Sequence, residues 1–295
     1  MFKLKGPILA TVSCDEVSQE VLRHADALAR FYDVKLCICH ILPEKCAGEP
    51  LFPYRYRGDA LKVSADLEDS LLQTIHTITS REPTQVSIVI ERGTTHSAIL
   101  RAAERVGAGA IIVGGESKQD SMPVWGGIAE QVTRHTDCPV WLVRPSPDGR
   151  VLAATDFSDP ALVAMAAGAA EALRLHADLA ITHAIEVLPV MLPAVKGVAY
   201  SVLLMDAAAH LRQASQRKLD DCVRRFDAKG GGLLSEGPAA PAILRAAKEL
   251  PTQLIVVGKH GKRGGNHLTL GRVAEAIIRA SPCSVLIARI AEHGQ

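Results

Sequence analysis

Gly258-Lys259-His260-Gly261, followed nine residues later by Gly271-Arg272-Val273, has the composition of an anion site. Glycines there let a ligand approach the backbone closely, and a helix opening at Gly271 would present N–H groups that no helical carbonyl accepts. Between residues 259 and 272, Lys259, Lys262, Arg263 and Arg272 supply four formal positive charges, and no carboxylate offsets them. The chain as a whole carries a formal net charge of +1, so this field is local. Neither nucleic acid nor an anionic membrane is an expected partner. A phosphate-bearing small molecule suits these residues.

Other groupings suit chemistry less well. Cys37-Ile38-Cys39-His40 has the residue types of a metal site. On a strand, however, Cys37 and Cys39 share one face while His40 points to the other. No second Cys or His pair completes a four-ligand set, so no metal site is expected and the thiols read as small buried hydrophobes. His40 and its counterpart His183 close matching strands and are candidates to face a cleft. His96, after Gly93-Thr94-Thr95, reads as a surface or capping residue, and Trp125 and Trp141 as packing residues. Nucleophile elbow, dinucleotide fingerprint, P-loop and H-E-x-x-H are all absent, so no catalytic residue is assigned.

The elements that would hold these residues appear twice. Ala98-Ile99-Leu100-Arg101-Ala102-Ala103 recurs as Ala242-Ile243-Leu244-Arg245-Ala246-Ala247, an offset of 144. Gly93 and Gly114 meet Gly237 and Gly258 at the same offset, His40 meets His183 at 143, and Gly126, Glu130 and Cys138 meet Gly271, Glu275 and Cys283 at 145. One-residue drifts are what single loop insertions leave behind, so the chain is a duplication. The first half predicts strands near 7–13, 34–42, 85–91, 109–114 and 138–143, with helices near 16–31, 59–80, 95–106 and 126–136. The second predicts strands near 150–156, 178–186, 231–236, 253–258 and 283–289, with helices near 159–175, 199–228, 239–249 and 271–281. Uninterrupted apolar strands alternating with helices imply a parallel sheet covered on both faces. Pro145-Ser146-Pro147-Asp148-Gly149 reads as the linker, giving domains 1–147 and 148–295. Proline-rich 43–58 and 187–197 read as loops at the sheets' carboxyl edges.

At 295 residues, 48% apolar and 22% charged, the chain suits two globular domains. No apolar run approaches the roughly 18 residues of a spanning helix. Seven cysteines, an odd number, with no leader-like start at Met1-Phe2-Lys3, lead to the expectation of reduced thiols and a cytoplasmic location.

With its nine-residue gap, Gly258-x-x-Gly261 and Gly271 resembles the G-2x-G-9x-G-(S/T) phosphate loop of universal stress proteins. Val151-Leu152-Ala153-Ala154-Thr155-Asp156-Phe157-Ser158 is similar to that family's first strand, which ends in an Asp receiving adenine. The resemblance covers nearly the whole chain, twice. It implies two tandem Rossmann-like α/β domains of the adenine nucleotide alpha hydrolase-like kind, each with a five-stranded parallel sheet and helices on both faces. It also implies ATP, ADP or AMP as ligand, with Mg accompanying a triphosphate, and a role as stress-response sensor or interaction module. The nucleotide-binding residues carried over are Thr155, Asp156, Ala184, Val257, Gly258, His260, Gly261, Gly271, Arg272 and Val273.

Arg272 stands where the family has Ser or Thr, exchanging a hydroxyl for a cation that could grip a phosphate or fill its place. The first half departs further, with Ser117 for the second glycine, Gly127 for the hydroxyl and Ser13 where Asp156 would match. Nucleotide is therefore expected in the second half only. The alternatives are a slow ATPase, a carrier of an apolar small molecule under loop 43–58, and a zinc-bearing tandem member. A pyrophosphatase-type relative would need an S-G-G-x-D-S loop, which is absent. The last strands, 138–143 and 283–289, are expected to pair the two halves, and homo-oligomers are a further expectation.

Overall fold

The fold is described from a computed structural model, covering residues 2–13, 16–42, 60–114, 127–186, 198–261 and 270–289. The chain divides into two compact units, formed essentially by Lys3–Pro145 and Ser146–Arg289.

In the first unit β1 (Ile8–Val12), α1 (Glu16–Phe31), β2 (Leu36–Leu42), α2 (Ala60–Thr79), β3 (Val86–Arg92), α3 (Thr95–Val106), β4 (Ala110–Gly114), α4 (Gly127–His135) and β5 (Val140–Val143) follow one another. The strands lie in the order β3-β2-β1-β4-β5, and each described pairing within the unit is parallel. The second unit repeats the series with β6 (Arg150–Ala154), α5 (Asp159–Leu175), β7 (Leu179–Ile185), α6 (Val198–Arg225), β8 (Gly232–Glu236), α7 (Ala239–Glu249), β9 (Thr252–Gly258), α8 (Arg272–Ala280) and β10 (Ser284–Ala288). Its order is β8-β7-β6-β9-β10, again parallel.

The central strands are buried on both faces because their sequences are apolar without alternation. Ile8, Leu9 and Ala10 of β1 and Val151, Leu152 and Ala153 of β6 are all fully inaccessible. Helices supply the covering layers through apolar stripes, such as Ala98, Ile99, Ala102 and Ala103 on α3. α3 stops at Gly107, which takes the left-handed conformation at φ 61° and returns its N–H to the carbonyls of Ala103 and Glu104.

In both units the first strand is the pivot of the topology. From β6 the chain winds outward through β7 to β8, then crosses back to β9 on the other flank of β6. The carboxyl ends of β6 and β9 therefore flank the crevice where strand order reverses, the place such sheets offer to a ligand.

Candidate functional site

Strand β6 stops at Ala154, two residues before the predicted end, because the backbone turns through Thr155–Ser158 into α5. Hydrogen bonds pin each step. Thr155 N–H donates to the Thr182 carbonyl at 2.9 Å, and Phe157 N–H donates to Thr155 Oγ1 at 2.9 Å. Ser158 gives its N–H to Asp156 Oδ1 at 3.0 Å and its hydroxyl to the same oxygen. Asp156 thus closes an Asx turn ahead of α5, with its carboxylate at the rim of the sheet.

The other carboxylate oxygen faces β9. A Cβ built on Gly261 would stand 2.6 Å from Asp156 Oδ2, so the residue after Lys259-His260 must be glycine for the carboxylate to lie where it does. The sequence-predicted Asp156 and Gly261, separated by more than a hundred residues, come together in the crevice.

Lys259 organises the other wall. Its N–H donates to the Ala288 carbonyl at 3.2 Å, and its own carbonyl accepts the Gly271 N–H at 2.9 Å. One residue's backbone thereby ties the end of β9 to the end of β10 and to the start of α8. The Lys259 residue is buried, with 4% of its surface exposed. The sequence reading began the helix at Gly271 and expected the glycines to let backbone N–H groups reach a phosphate. In the structure Gly271 is the extended N-cap (φ −65°, ψ 142°), and its N–H serves Lys259 instead. The first helical bond runs from Glu275 N–H to the Gly271 carbonyl, which leaves the amides of Arg272, Val273 and Ala274 ahead of it as the helix's N-terminal donors. Arg272 and Val273 are exposed there, and Arg272 makes no ion pair among the described residues. Glu275, one turn in, is paired with Arg279 at 2.7 Å.

The remaining predicted positions fall around the same edge. Val257 and Gly258 end β9, His260 follows partly exposed, and Ala184 lies near the end of β7. Lys262 and Arg263 lie outside the described residues, as do most of the first unit's matching loop and Trp125. His96 sits in the first turn of α3, and Trp141 is fully buried in β5.

Sequence reasoning missed what holds the turn in place. His183, on β7, donates Nδ1–H to the Thr155 carbonyl at 2.8 Å, since a carbonyl can only accept. His40 does the same to the Val12 carbonyl at 3.0 Å in the first unit. The signal was present as a matched histidine at each strand end, although only the repeat offset marked it. Burial pushes the His40 imidazole below its usual pKa, partly countered by the bond to Val12. Next to His40, burial, reinforced by Cys37 and Glu91, pushes the Cys39 thiol up to about 12. A thiol so placed stays protonated and unreactive at neutral pH.

The first unit's crevice is chemically different. Ser13 donates its N–H to Ser18 Oγ of the following helix at 2.8 Å. No carboxylate occupies the Asp156 position there.

A family model described as the universal stress protein family matches residues 6–144 and again 149–289. The chain belongs to the universal stress protein family. Among curated relatives, universal stress protein G of Escherichia coli O157:H7 is 26% identical over 132 residues, covering 44% of this chain and 90% of that protein. A universal stress protein A homolog of Coxiella burnetii is 31% identical over 116 residues, 39% of this chain and 75% of its own length. Each of these relatives thus corresponds to about one half of the chain. Among solved structures, a universal stress protein from Archaeoglobus fulgidus aligns over 96% of this chain and 98% of its own, with a TM-score of 0.64 at 19% identity. A functionally unknown protein from Pseudomonas aeruginosa aligns over 97% and 92%, with a TM-score of 0.67 at 19% identity. Those likenesses establish a tandem α/β fold. Among the described residues no helix is long and apolar enough to cross a membrane.

Proposed function

We propose that this universal stress protein binds one adenine nucleotide per chain, in the crevice between β6 and β9 of the second unit, and acts through that binding as a stress-response sensor or interaction module. The observation that carries the reading is the meeting of Asp156 with Gly261 where strand order reverses. A carboxylate at that rim accepts the amine of a purine, which a serine at the same place cannot do as an anion. Across the crevice, the α8 amides of Arg272, Val273 and Ala274 suit phosphate oxygens, and a helix N-terminus stabilises an anion by about 0.3–1 kcal/mol. The Arg272 guanidinium adds a second, directional contact, because its planar fork matches phosphate geometry. A triphosphate would bring Mg2+ with it, held chiefly by the phosphates.

Calorimetry with AMP, ADP and ATP tests the reading. One site per chain is expected. Asp156→Ala should weaken all three nucleotides about tenfold or more, the worth of one hydrogen bond to a charged group. Ser13→Ala should leave binding unchanged, and Arg272→Ala should cost ATP more than adenosine. Two sites per chain, or an indifferent Asp156, would overturn the assignment. Phosphate release measured on the same samples distinguishes a binder from a slow ATPase.

A further inference from the structure

Between β6 and α5 the chain reverses within four residues, and one of them takes a conformation that its side chain disfavours. Phe157 has φ 61°, in the left-handed region where a bulky side chain crowds its own backbone. Glycine or asparagine ordinarily fills such a place. Here an aromatic ring is kept, and it is clamped. Its centroid lies 4.2 Å from that of His183, the planes tilted by 41°, and the Lys218 ammonium from α6 stands 5.9 Å over its face. His183 is itself held by its Nδ1–H bond to the Thr155 carbonyl, and Thr155 Oγ1 receives the Phe157 N–H.

We infer that Phe157 is a positioning residue for Asp156. The ring, locked on His183, keeps the backbone at 157 left-handed. That reversal sends residue 156 towards β9 and residue 157 towards β7 and α6. Asp156 is thereby left with one oxygen on the Ser158 amide and the other against Gly261. The contacts form one series, from β7 through His183 and Phe157 to the carboxylate. The first unit separates the common part of this device from the added part. His40 ties Val12 there just as His183 ties Thr155, so the histidine bond belongs to the fold. The aromatic residue occurs only in the half that carries the carboxylate, for Cys14 matches Phe157 in sequence as Ser13 matches Asp156. A ring that served packing alone would have no reason to accept a left-handed backbone, because any core position offers it a better one.

The inference rests on the nucleotide reading and adds a residue that sets affinity through Asp156. The test is a double-mutant cycle in the full chain, with Phe157→Gly, Asp156→Ala and the double variant titrated with AMP. Glycine is at ease at φ 61°, so the turn remains accessible while the clamp is lost; Phe157→Asn serves as a second variant that tolerates the same backbone. Phe157→Gly should weaken AMP binding about fivefold or more in the wild-type background and have no effect beside Asp156→Ala, the coupling expected of groups in one network. Amide exchange supplies a readout that needs no nucleotide. The Ser158 N–H, held by Asp156 Oδ1, should exchange about tenfold faster in Phe157→Gly and in His183→Leu, with the β6 interior unchanged. Wild-type binding in Phe157→Gly, or equal weakening with and without Asp156, overturns the inference. If the wild type binds no adenine nucleotide, the nucleotide reading falls separately, and unaltered Ser158 exchange then overturns the positioning role.

Discussion

Gly261→Ala isolates the contact on which the site depends. The new methyl carbon would stand 2.6 Å from Asp156 Oδ2, well inside ordinary carbon–oxygen contact, with the Asp156 Cγ at 3.6 Å. The backbone at Gly261 is not left-handed, so alanine meets no conformational obstacle of its own. Left to itself, glycine-to-alanine replacement at a compatible position stabilises by about 0.4–1 kcal/mol through the unfolded chain. The carboxylate must therefore supply any cost. Its Oδ1 is fastened to the Ser158 amide, so Oδ2 retreats only by rotating off its rotamer, at about 0.5–1.5 kcal/mol, or by giving up that bond. The sum predicts that Gly261→Ala is near neutral or destabilising by about 1 kcal/mol in the wild type, but stabilising beside Asp156→Ala, a coupling of about 0.5–1.5 kcal/mol. Urea unfolding of the four proteins measures it. The same variant should lose nucleotide affinity in calorimetry, since the carboxylate has been displaced. Additive stabilities across the cycle would refute the contact and, with it, the meeting of β6 and β9 loops at this point.

Three further outcomes follow from the same structure. Glu171 and Arg174 on α5 form an almost fully buried ion pair, 2.7 Å apart, where the first unit has Leu28 and Phe31; Glu171→Ala alone should cost about 3–5 kcal/mol in urea unfolding, while the pair Glu171→Leu with Arg174→Phe should be near neutral. Cys37 and Cys39, raised by burial, should take no iodoacetamide label at mildly alkaline pH until the protein is unfolded, whereas partly exposed Cys138 and Cys222 should label before these two by mass spectrometry. His40 titrates below its ordinary value in the folded protein, so the unfolded chain takes up the proton first as pH falls. Its contribution is complete above about 6.5 and declines below that towards the lower folded value, a slope that His40→Gln should flatten in urea midpoints measured from about pH 7.5 to 5.5.

Helices were the more legible part of this fold. Predicted limits of 16–31, 95–106, 159–175 and 239–249 coincide with α1, α3, α5 and α7, because amphipathic periodicity and terminal residues act within the segment itself. Strand ends depend on what lies beside them. Val12, Ala154 and Ile185 each end a strand one or two residues earlier than apolar character suggested, where the backbone leaves the ladder for the crevice. Asp156 and Gly261 were legible individually, through their resemblance to a family pattern, but their contact was not. Nor could the sequence show that Phe157 is left-handed, since its side chain argues against that conformation. The bond from the Gly271 amide was not legible either, because its acceptor, the Lys259 carbonyl, is a backbone group that every residue carries.

Duplication makes the difference between scaffold and site readable within one molecule. What recurs in both units has been kept for folding, and the histidine-to-carbonyl bond between the first two strands is such a feature. What occurs once needs a separate reason. In the second unit the features found once are a carboxylate, a glycine against it, a strained aromatic beside it and, in the sequence, a stretch from 259 to 272 with four cations and no carboxylate. Packing explains none of them. A left-handed phenylalanine lowers stability. Here Asp156, Gly261 and Phe157 meet at the point where strand order reverses, and strain of this kind is a reason to test that crevice for a ligand.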